Sequence, residues 1–391
     1  MRHLFSPLPL GGLTLSNRLV QSATYEGMAA PSGEVTAPLI TRYRHLARGG
    51  TGLVIPGYFF VHPSGKAMKY QSGIHDDAML PGLRQLTEAV HGEGGKIVFQ
   101  LAHAGGQTTG AIAGSPPMAP SVYGRDPVTL IKPKKMKEKD ITRVLNAFAS
   151  AAARAVAAGA DGIQLHAAHG YLINQFLSPF FNRRRDAWGG TEEKRFRFLK
   201  STITCVRREM PEGMPLLVKM NTMDYTPKPG IDHEMAVRYA KRLAQAGIDG
   251  LEVSCGTGSY SFMNMCRGQV PVAEMVSGLP LWKKPVGKLM LSQMAGRFDL
   301  EEGYNLAAAR RIRSACREMP LAVVGGFRRV EQMEEVLEAG HADLIAMARP
   351  FIREPFLARR FREEKQRVVT CVSCNKCLAA AANGQRVYCR Y

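Results

Sequence analysis

His166 and His169 stand three residues apart, with Tyr171 two residues further on, in the stretch Leu165-His166-Ala167-Ala168-His169-Gly170-Tyr171-Leu172. The run before it, residues 158–165, reads as a helix ending and a short buried strand beginning. Two imidazoles and a phenol therefore lie just past the carboxyl end of a strand, where Gly170 allows a sharp turn. In parallel α/β architectures that end of the strand is where ligands bind and chemistry happens. A lone buried histidine is usually satisfied by backbone carbonyls. A pair followed by tyrosine at a strand end is read as a functional site. Zinc is the first chemistry to weigh there. A catalytic zinc takes three protein ligands, yet Tyr171, Leu172, Ile173 and Asn174 follow the pair, and no Glu is interleaved as in the helical zinc motif. The pair is not read as a zinc site.

These residues need a scaffold, and a weak internal repeat supplies one. A helical pattern, a Gly-rich turn and a short apolar strand recur, with strands at 49–55, 94–100, 159–165, 247–253 and 340–346. Two more start from Met-Pro, at 214–220 and 319–325, and residues 18–24 make eight. Helical stretches lie between them at 142–158, 192–209, 233–246, 303–318 and 330–339. Eight strands alternating with helices predict a closed (β/α)8 TIM barrel. The alternative is a doubly wound open sheet, but no Gly-x-Gly-x-x-Gly follows the first strand. Two connections, 103–140 and 256–302, are longer than a barrel needs, and both leave carboxyl ends of strands. Long loops of this kind are usually functional, so both are expected to shape the mouth of the site.

Collected at one end of such a barrel, the strand ends offer Ser22-Ala23-Thr24, Gly57-Tyr58, Gln100, His166 and His169, Lys219, Ser254, Gly325-Gly326 and Ala348-Arg349. The glycines and small residues after the last two strands, followed by a guanidinium, form a phosphate pocket. Gln100 and Lys219 are placed to hydrogen-bond a flat heteroaromatic ring. That combination asks for a phosphorylated planar cofactor. Flavin mononucleotide fits better than pyridoxal phosphate, because no lysine is poised beside an acidic partner for a pyridine nitrogen. FMN is expected rather than FAD, since one phosphate pocket and no dinucleotide motif are visible.

The chain carries 52 Lys and Arg against 33 Asp and Glu, a formal charge of +19 over 391 residues. The basic residues are scattered, with clusters at 132–139, 183–185 and 359–367, and aromatic residues are not interleaved among them. A solvated basic surface that attracts anionic substrates is expected, and no nucleic-acid partner. No apolar run approaches the ~20 residues of a membrane span, and the start, Met1-Arg2-His3-Leu4-Phe5-Ser6-Pro7, lacks the apolar core of a secretory signal. A cytoplasmic enzyme without a membrane partner is the expectation. The oligomeric state stays open, a homo-oligomer included. Of eight cysteines, Cys205, Cys255, Cys266 and Cys316 are dispersed and read as reduced. Cys371, Cys374, Cys377 and Cys389 crowd the end of the chain, which points to metal rather than disulfides.

Longer strings carry more. Asn17-Arg18-Leu19-Val20, residues 166–172, residues 174–179, NRRRDAWGG at 182–190 and ADLIAMARPFIREP at 342–355 form a specific set. On these segments residues 1 to about 360 resemble the Old Yellow Enzyme family of flavin-dependent ene-reductases. The resemblance implies that His166 and His169 are the pair that hydrogen-bonds the carbonyl or nitro oxygen of the substrate, and that Tyr171 is the proton donor. It implies that Gln100 and Lys219 contact the flavin ring, Lys219 standing where many members carry Arg. Ala23 and Thr24 match backbone partners of the isoalloxazine edge, with Gly57 and Tyr58 grouped among the cofactor contacts. Gly325, Gly326, Ala348 and Arg349 match the phosphate site. One departure is that many members place Thr or Cys beside the flavin where this chain reads Thr24-Tyr25. Tuning of the flavin by that side chain is left open.

The reaction so implied passes hydride from NADH or NADPH through flavin N5 to the β-carbon of an electron-poor alkene, an enone or enoate. The histidines hold the oxygen on which charge develops, and Tyr171 protonates the α-carbon. The tail, Cys371-x2-Cys374-x2-Cys377-x11-Cys389, resembles the 4Fe–4S ligand spacing of the dienoyl-CoA reductase and trimethylamine dehydrogenase branch. Four thiolates at that spacing suit a cluster or a structural zinc, and free thiols are the third reading. The alternative function is an iron–sulfur flavoenzyme that reduces dienoyl thioesters or oxidises amines through an external electron carrier. A third, a basic binding protein on a disused barrel, is opposed by the His pair, Tyr171 and the phosphate site together. The expected domains are an FMN-binding barrel over 1–360 and a Cys-rich extension over 361–391 packed on it.

Overall fold

The computed structural model describes residues 3–391. Its central strands are short and, apart from Val324 at the end of one of them, buried, as parallel strands covered by helices must be. They are β1 (Leu19–Gln21), β2 (Leu53–Val54, resuming at Phe59–Phe60), β3 (Val98–Ala102), β4 (Gly162–Ala167), β5 (Leu216–Asn221), β6 (Gly250–Ser254), β7 (Leu321–Val324) and β8 (Leu344–Met347). Each pairs in parallel with the next, and β8 returns to β1. The ring closes at β2, whose first half pairs with β1 and second half with β3, while a Val54–Ile97 bridge ties the two seams. The eight-strand barrel expected from the repeat is therefore present.

The helices between strands follow from apolar stripes. In the helix Glu138–Ala157, Ile141, Val144, Phe148, Ala151, Ala152 and Ala155 recur at helical spacing and are all buried. This helix begins four residues before the stretch expected, because the Asp140 carboxylate accepts the Lys137 N–H at 2.9 Å and caps the first turn. Before the barrel the chain forms a hairpin that was not anticipated, Leu8–Leu10 against Leu13–Leu15. Leu10 and Leu15 pack with Val20, Leu53, Val98 and Leu217, so the hairpin plugs the amino-terminal end of the barrel. Burying each leucine stabilises the plug by roughly 1.5–3 kcal/mol, and chemistry is left to the other end.

Both long connections are structured. Residues 103–140 carry the short pair Met118–Ala119 and Lys134–Lys135, and 256–302 carry helices Val272–Ser277 and Lys284–Ser292. The end of the chain lies against the barrel wall. Val330 N–H donates to the Arg367 carbonyl (2.9 Å) and Val387 N–H to the Glu26 carbonyl (2.8 Å), while helix Lys376–Ala382 packs on Val272–Ser277. One charge reading is corrected. Arg184, placed in a solvated basic cluster, is buried, donating to the Pro120 and Met136 carbonyls and to Asp186. No helix among the described residues is long and apolar enough to cross a membrane.

Candidate active site

His166 belongs to β4, and the chain then turns through His169 (φ 62°) and Gly170 (φ 78°), both left-handed. A non-glycine residue in that region carries strain of about 1–3 kcal/mol and persists only where its surroundings hold it. The hold is visible. His169 N–H donates to Asn221 Oδ1 (3.1 Å) and Gly170 N–H to Asn174 Oδ1 (2.7 Å). Both amides then donate from Nδ2 to Asp224 Oδ1, at 2.9 Å from Asn221 and 3.1 Å from Asn174. Asp224 Oδ2 accepts Ile231 N–H at 2.8 Å. Each long connection adds a bond to the His169 carbonyl, from Gln107 Nε2 (2.9 Å) and Gly258 N–H (3.0 Å). Both connections thus brace the turn.

Asp224→Ala would strand two buried donors, Asn174 Nδ2 and the Ile231 N–H, each at about 1–3 kcal/mol, while Asn221 Nδ2 keeps the Gly256 carbonyl at 2.7 Å. Chemical denaturation should show a loss of at least about 2 kcal/mol, and a loss below about 1 kcal/mol would show that water replaces the carboxylate.

Four rings meet above the turn. The His166 and His169 ring centroids are 5.0 Å apart and edge-on, Tyr171 lies 5.0 Å from His166, and Tyr58 lies 5.2 Å from Tyr171. Tyr171 Oη donates to Tyr58 Oη at 2.9 Å. Burial, and then the charge of Lys219, holds both imidazoles well below their ordinary range, so both are neutral at pH 7. A neutral imidazole has one N–H. His166 Nδ1 accepts the Ala168 N–H (3.4 Å), which puts its proton on Nε2, and His169 Nε2 meets Ser254 Oγ at 2.7 Å. Burial pushes the Tyr171 phenol up to about 12, so it keeps its proton.

Gln100 and Lys219 are buried on β3 and β5 inside the barrel. Gln100 Nε2 donates to Gln164 Oε1 (2.6 Å) and Lys219 Nζ to Ser22 Oγ (2.8 Å). Thr24 Oγ1 donates to the Ser22 carbonyl (3.0 Å), and Ala23 beside it is partly exposed at the mouth. Gly57 lies in the break of β2, its N–H donating to buried Glu26 (2.6 Å). After β7, Gly325 (φ 150°) and Gly326 (φ 75°) present bare backbone, and a Cβ on Gly326 would fall on the Glu301 carbonyl. Ala348 and Arg349 follow β8. Arg349 also faces the tail, its Nη1 donating to the Arg267 carbonyl (2.9 Å) and Asn375 Oδ1 (2.6 Å). Gln100 and Lys219 therefore sit within their strands inside the barrel, and the other strand ends singled out in the sequence lie at the carboxyl mouth.

Cys371, Cys374, Cys377 and Cys389 line one pocket with Arg349, Arg353 and Asn375. Burial pushes the Cys377 thiol up to about 12. No three His, Cys, Asp or Glu among the described residues are disposed to hold a single metal ion. Several participants were missed. Glu252 and Gln164, polar residues within otherwise apolar strands, were a signal in plain view. Asn174, Asn221, Asp224 and Glu26 gave none, because their roles are to satisfy backbone groups brought together only by folding.

The family model described as the NADH:flavin oxidoreductase / NADH oxidase family matches residues 3–257 and 293–367, passing over most of the second long connection. The chain is 35% identical over 393 residues to a 4,4'-dithiodibutanoate disulfide reductase of Rhodococcus erythropolis, covering 98% of this chain and 94% of that protein. It is 33% identical to an NADPH dehydrogenase of Bacillus subtilis, covering 92% and 94%. Among solved structures, an old yellow enzyme homologue from Zymomonas mobilis superposes with a TM-score of 0.74 at 26% identity, covering 95% of each chain. Other relatives are longer, and the chain spans 53% of an NADH oxidase of Thermoanaerobacter brockii, to which it is 33% identical over 95% of its own length.

Proposed function

The chain belongs to the NADH:flavin oxidoreductase / NADH oxidase family and is a flavin-dependent oxidoreductase of Old Yellow Enzyme type; from that premise we propose that it is an FMN-dependent, NAD(P)H-driven reductase of the activated C=C bond of enones and enoates. The observation that carries the reading is the four-ring cluster at the mouth, in which the neutral imidazole of His169 and the protonated phenol of Tyr171 each lie 5.0 Å from the neutral imidazole of His166. Bound at this mouth, FMN would supply the hydride chemistry that links NAD(P)H to the β-carbon of the alkene. The mouth fits such a group. Gly325 and Gly326 with Ala348 and Arg349 would take the phosphate, Gln100 and Lys219 the polar ring edge, and Ala23, Thr24 and Gly57 its rim. His166 and His169 orient the substrate by its oxygen and hold the charge that develops there, worth a few kcal/mol when donors are preorganised. Tyr171 gives its proton to the α-carbon and is refilled from water after product leaves, with Tyr58 steadying the hydroxyl at 2.9 Å. In this reading residues 1–360 are the FMN-binding barrel and 361–391 the extension.

A second reading is favoured by the tail. Four thiols that line one pocket together with arginines suit Cys371, Cys374, Cys377 and Cys389 as ligands of a 4Fe–4S cluster, with electrons supplied by an external carrier. Heat release and chromatography of the flavin, with iron analysis of the same sample, separate the readings. FMN, absent iron and direct bleaching by NADPH are expected for the enone reductase. About four irons per chain with no bleaching by NADPH would establish the second, and FAD or no flavin would sink both.

A further inference from the structure

Gln100 and Lys219 lie on β3 and β5, separated by β4, and a single carboxylate joins them. Gln100 Nε2 donates to Gln164 Oε1 (2.6 Å), and Gln164 Nε2 donates to Glu252 Oε2 (2.9 Å). Glu252 Oε1 accepts Ser22 Oγ (2.5 Å) and pairs with Lys219 Nζ (3.1 Å). Two of these bonds skip strands. Gln164 on β4 reaches past β5 to Glu252 on β6, and Glu252 reaches past β7 and β8 to Ser22 at the end of β1. Bonds that skip strands must cross the inside of the barrel, so this network is the floor on which a ligand at the mouth rests.

The electrostatics set the role. Glu252 and Lys219 are 2% and 3% exposed. An unpaired buried charge costs several kcal/mol, so each ion depends on the other and on the hydroxyl and amide around them. Lys219 alone would present a full positive charge to whatever lies above it. With Glu252 at 3.1 Å the pair presents little more than a dipole. A reduced flavin ring carries negative charge, so an unopposed cation would favour reduction and a neutralised one would not.

Resting on the FMN reading above, we propose that Glu252 is a positioning residue for the flavin. It anchors Gln100 through Gln164 and Lys219 directly, and its charge keeps the flavin's reduction potential low. Glu252→Gln keeps the side chain's length and an acceptor for Ser22 while removing the charge. The variant is expected to retain FMN and to bind reduced FMN at least tenfold more tightly relative to oxidised FMN than wild type does. For the two-electron couple that ratio is a rise of about 30 mV in midpoint potential, read by equilibration with a reference dye. A potential unchanged or lower overturns the charge role. Gln164→Leu tests the anchor without altering charge, and serves if Glu252→Gln folds poorly. Its FMN dissociation constant should rise about tenfold with the potential unmoved, and wild-type affinity overturns the anchoring role. Wild-type protein that takes up no FMN overturns the cofactor reading itself, whereas a loaded protein indifferent to both substitutions overturns only the part given to Glu252.

Discussion

Enone turnover by Tyr171→Phe is expected to fall by about 100-fold or more, the usual consequence of losing a general acid, with normal FMN content and near-normal bleaching by NADPH. The substitution removes one oxygen and keeps the ring that packs 5.0 Å from His166 and 5.2 Å from Tyr58. The variant therefore isolates the proton from the packing. The phenol is a competent donor because burial raises it to about 12, so it stays protonated at every pH at which the protein would be assayed. The donor is lost only as pH rises through that value, and the wild-type rate should show no alkaline limb from Tyr171 below about pH 10. The substituted ring leaves the partly exposed Tyr58 hydroxyl without its 2.9 Å partner, which costs about 1 kcal/mol and does not mimic the loss of rate. Nitroalkenes, which leave as nitronates and take their proton from water, should be nearly unaffected. Cyclohexenone reduced at the wild-type rate would assign the proton to water or to another group.

Replacing His166 or His169 with Ala should lower enone turnover by about 10²–10³-fold, the range seen when one preorganised donor to a developing oxyanion is removed. Binding of a para-substituted phenol, followed by its charge-transfer absorbance, should weaken in parallel. Bleaching by NADPH should change little, because no substrate oxygen is held in that step. Equal losses in the two half-reactions would make the pair structural. The same variants carry a pH signature. Unfolded histidine titrates near 6.5, while the folded pair is held well below that by burial and by Lys219. The unfolded chain therefore binds more protons as pH falls below about 6.5, and wild-type stability declines there. In the double Ala variant that part of the decline should disappear, as melting temperatures at pH 5 and pH 7 would show.

Much of the fold was legible because barrel strands announce themselves locally. Turn glycines followed by Leu-Val-Ile, Ile-Gln-Leu or Leu-Ile-Ala mark strands at 53, 163 and 344 without reference to any partner. Once eight such strands alternate with helices, closure and the direction of the strand ends follow from the handedness of the connections. The residues at those ends, from Ala23 to Arg349, were therefore assignable to one mouth from sequence alone. The plug formed by residues 8–15 was not, since two three-residue strands carry too little periodicity to distinguish from a loop.

What sequence determined, then, was which chemical groups reach the mouth. What only the tertiary structure decided was the state in which they arrive. His166 and His169 are neutral because burial and Lys219 act on them together, and His169 tolerates a left-handed backbone because Asn174, Asn221 and Asp224 converge on it. The same holds for Lys219 itself, whose charge is matched by Glu252 only through the neighbouring register of β5 and β6. It holds for the four tail cysteines, whose spacing was visible but whose common pocket with Arg349 and Arg353 was not. The physical reason is common to all of them. Residue type is a local property, whereas protonation, strain and net charge are set by neighbours tens or hundreds of positions away, and only packing chooses those neighbours.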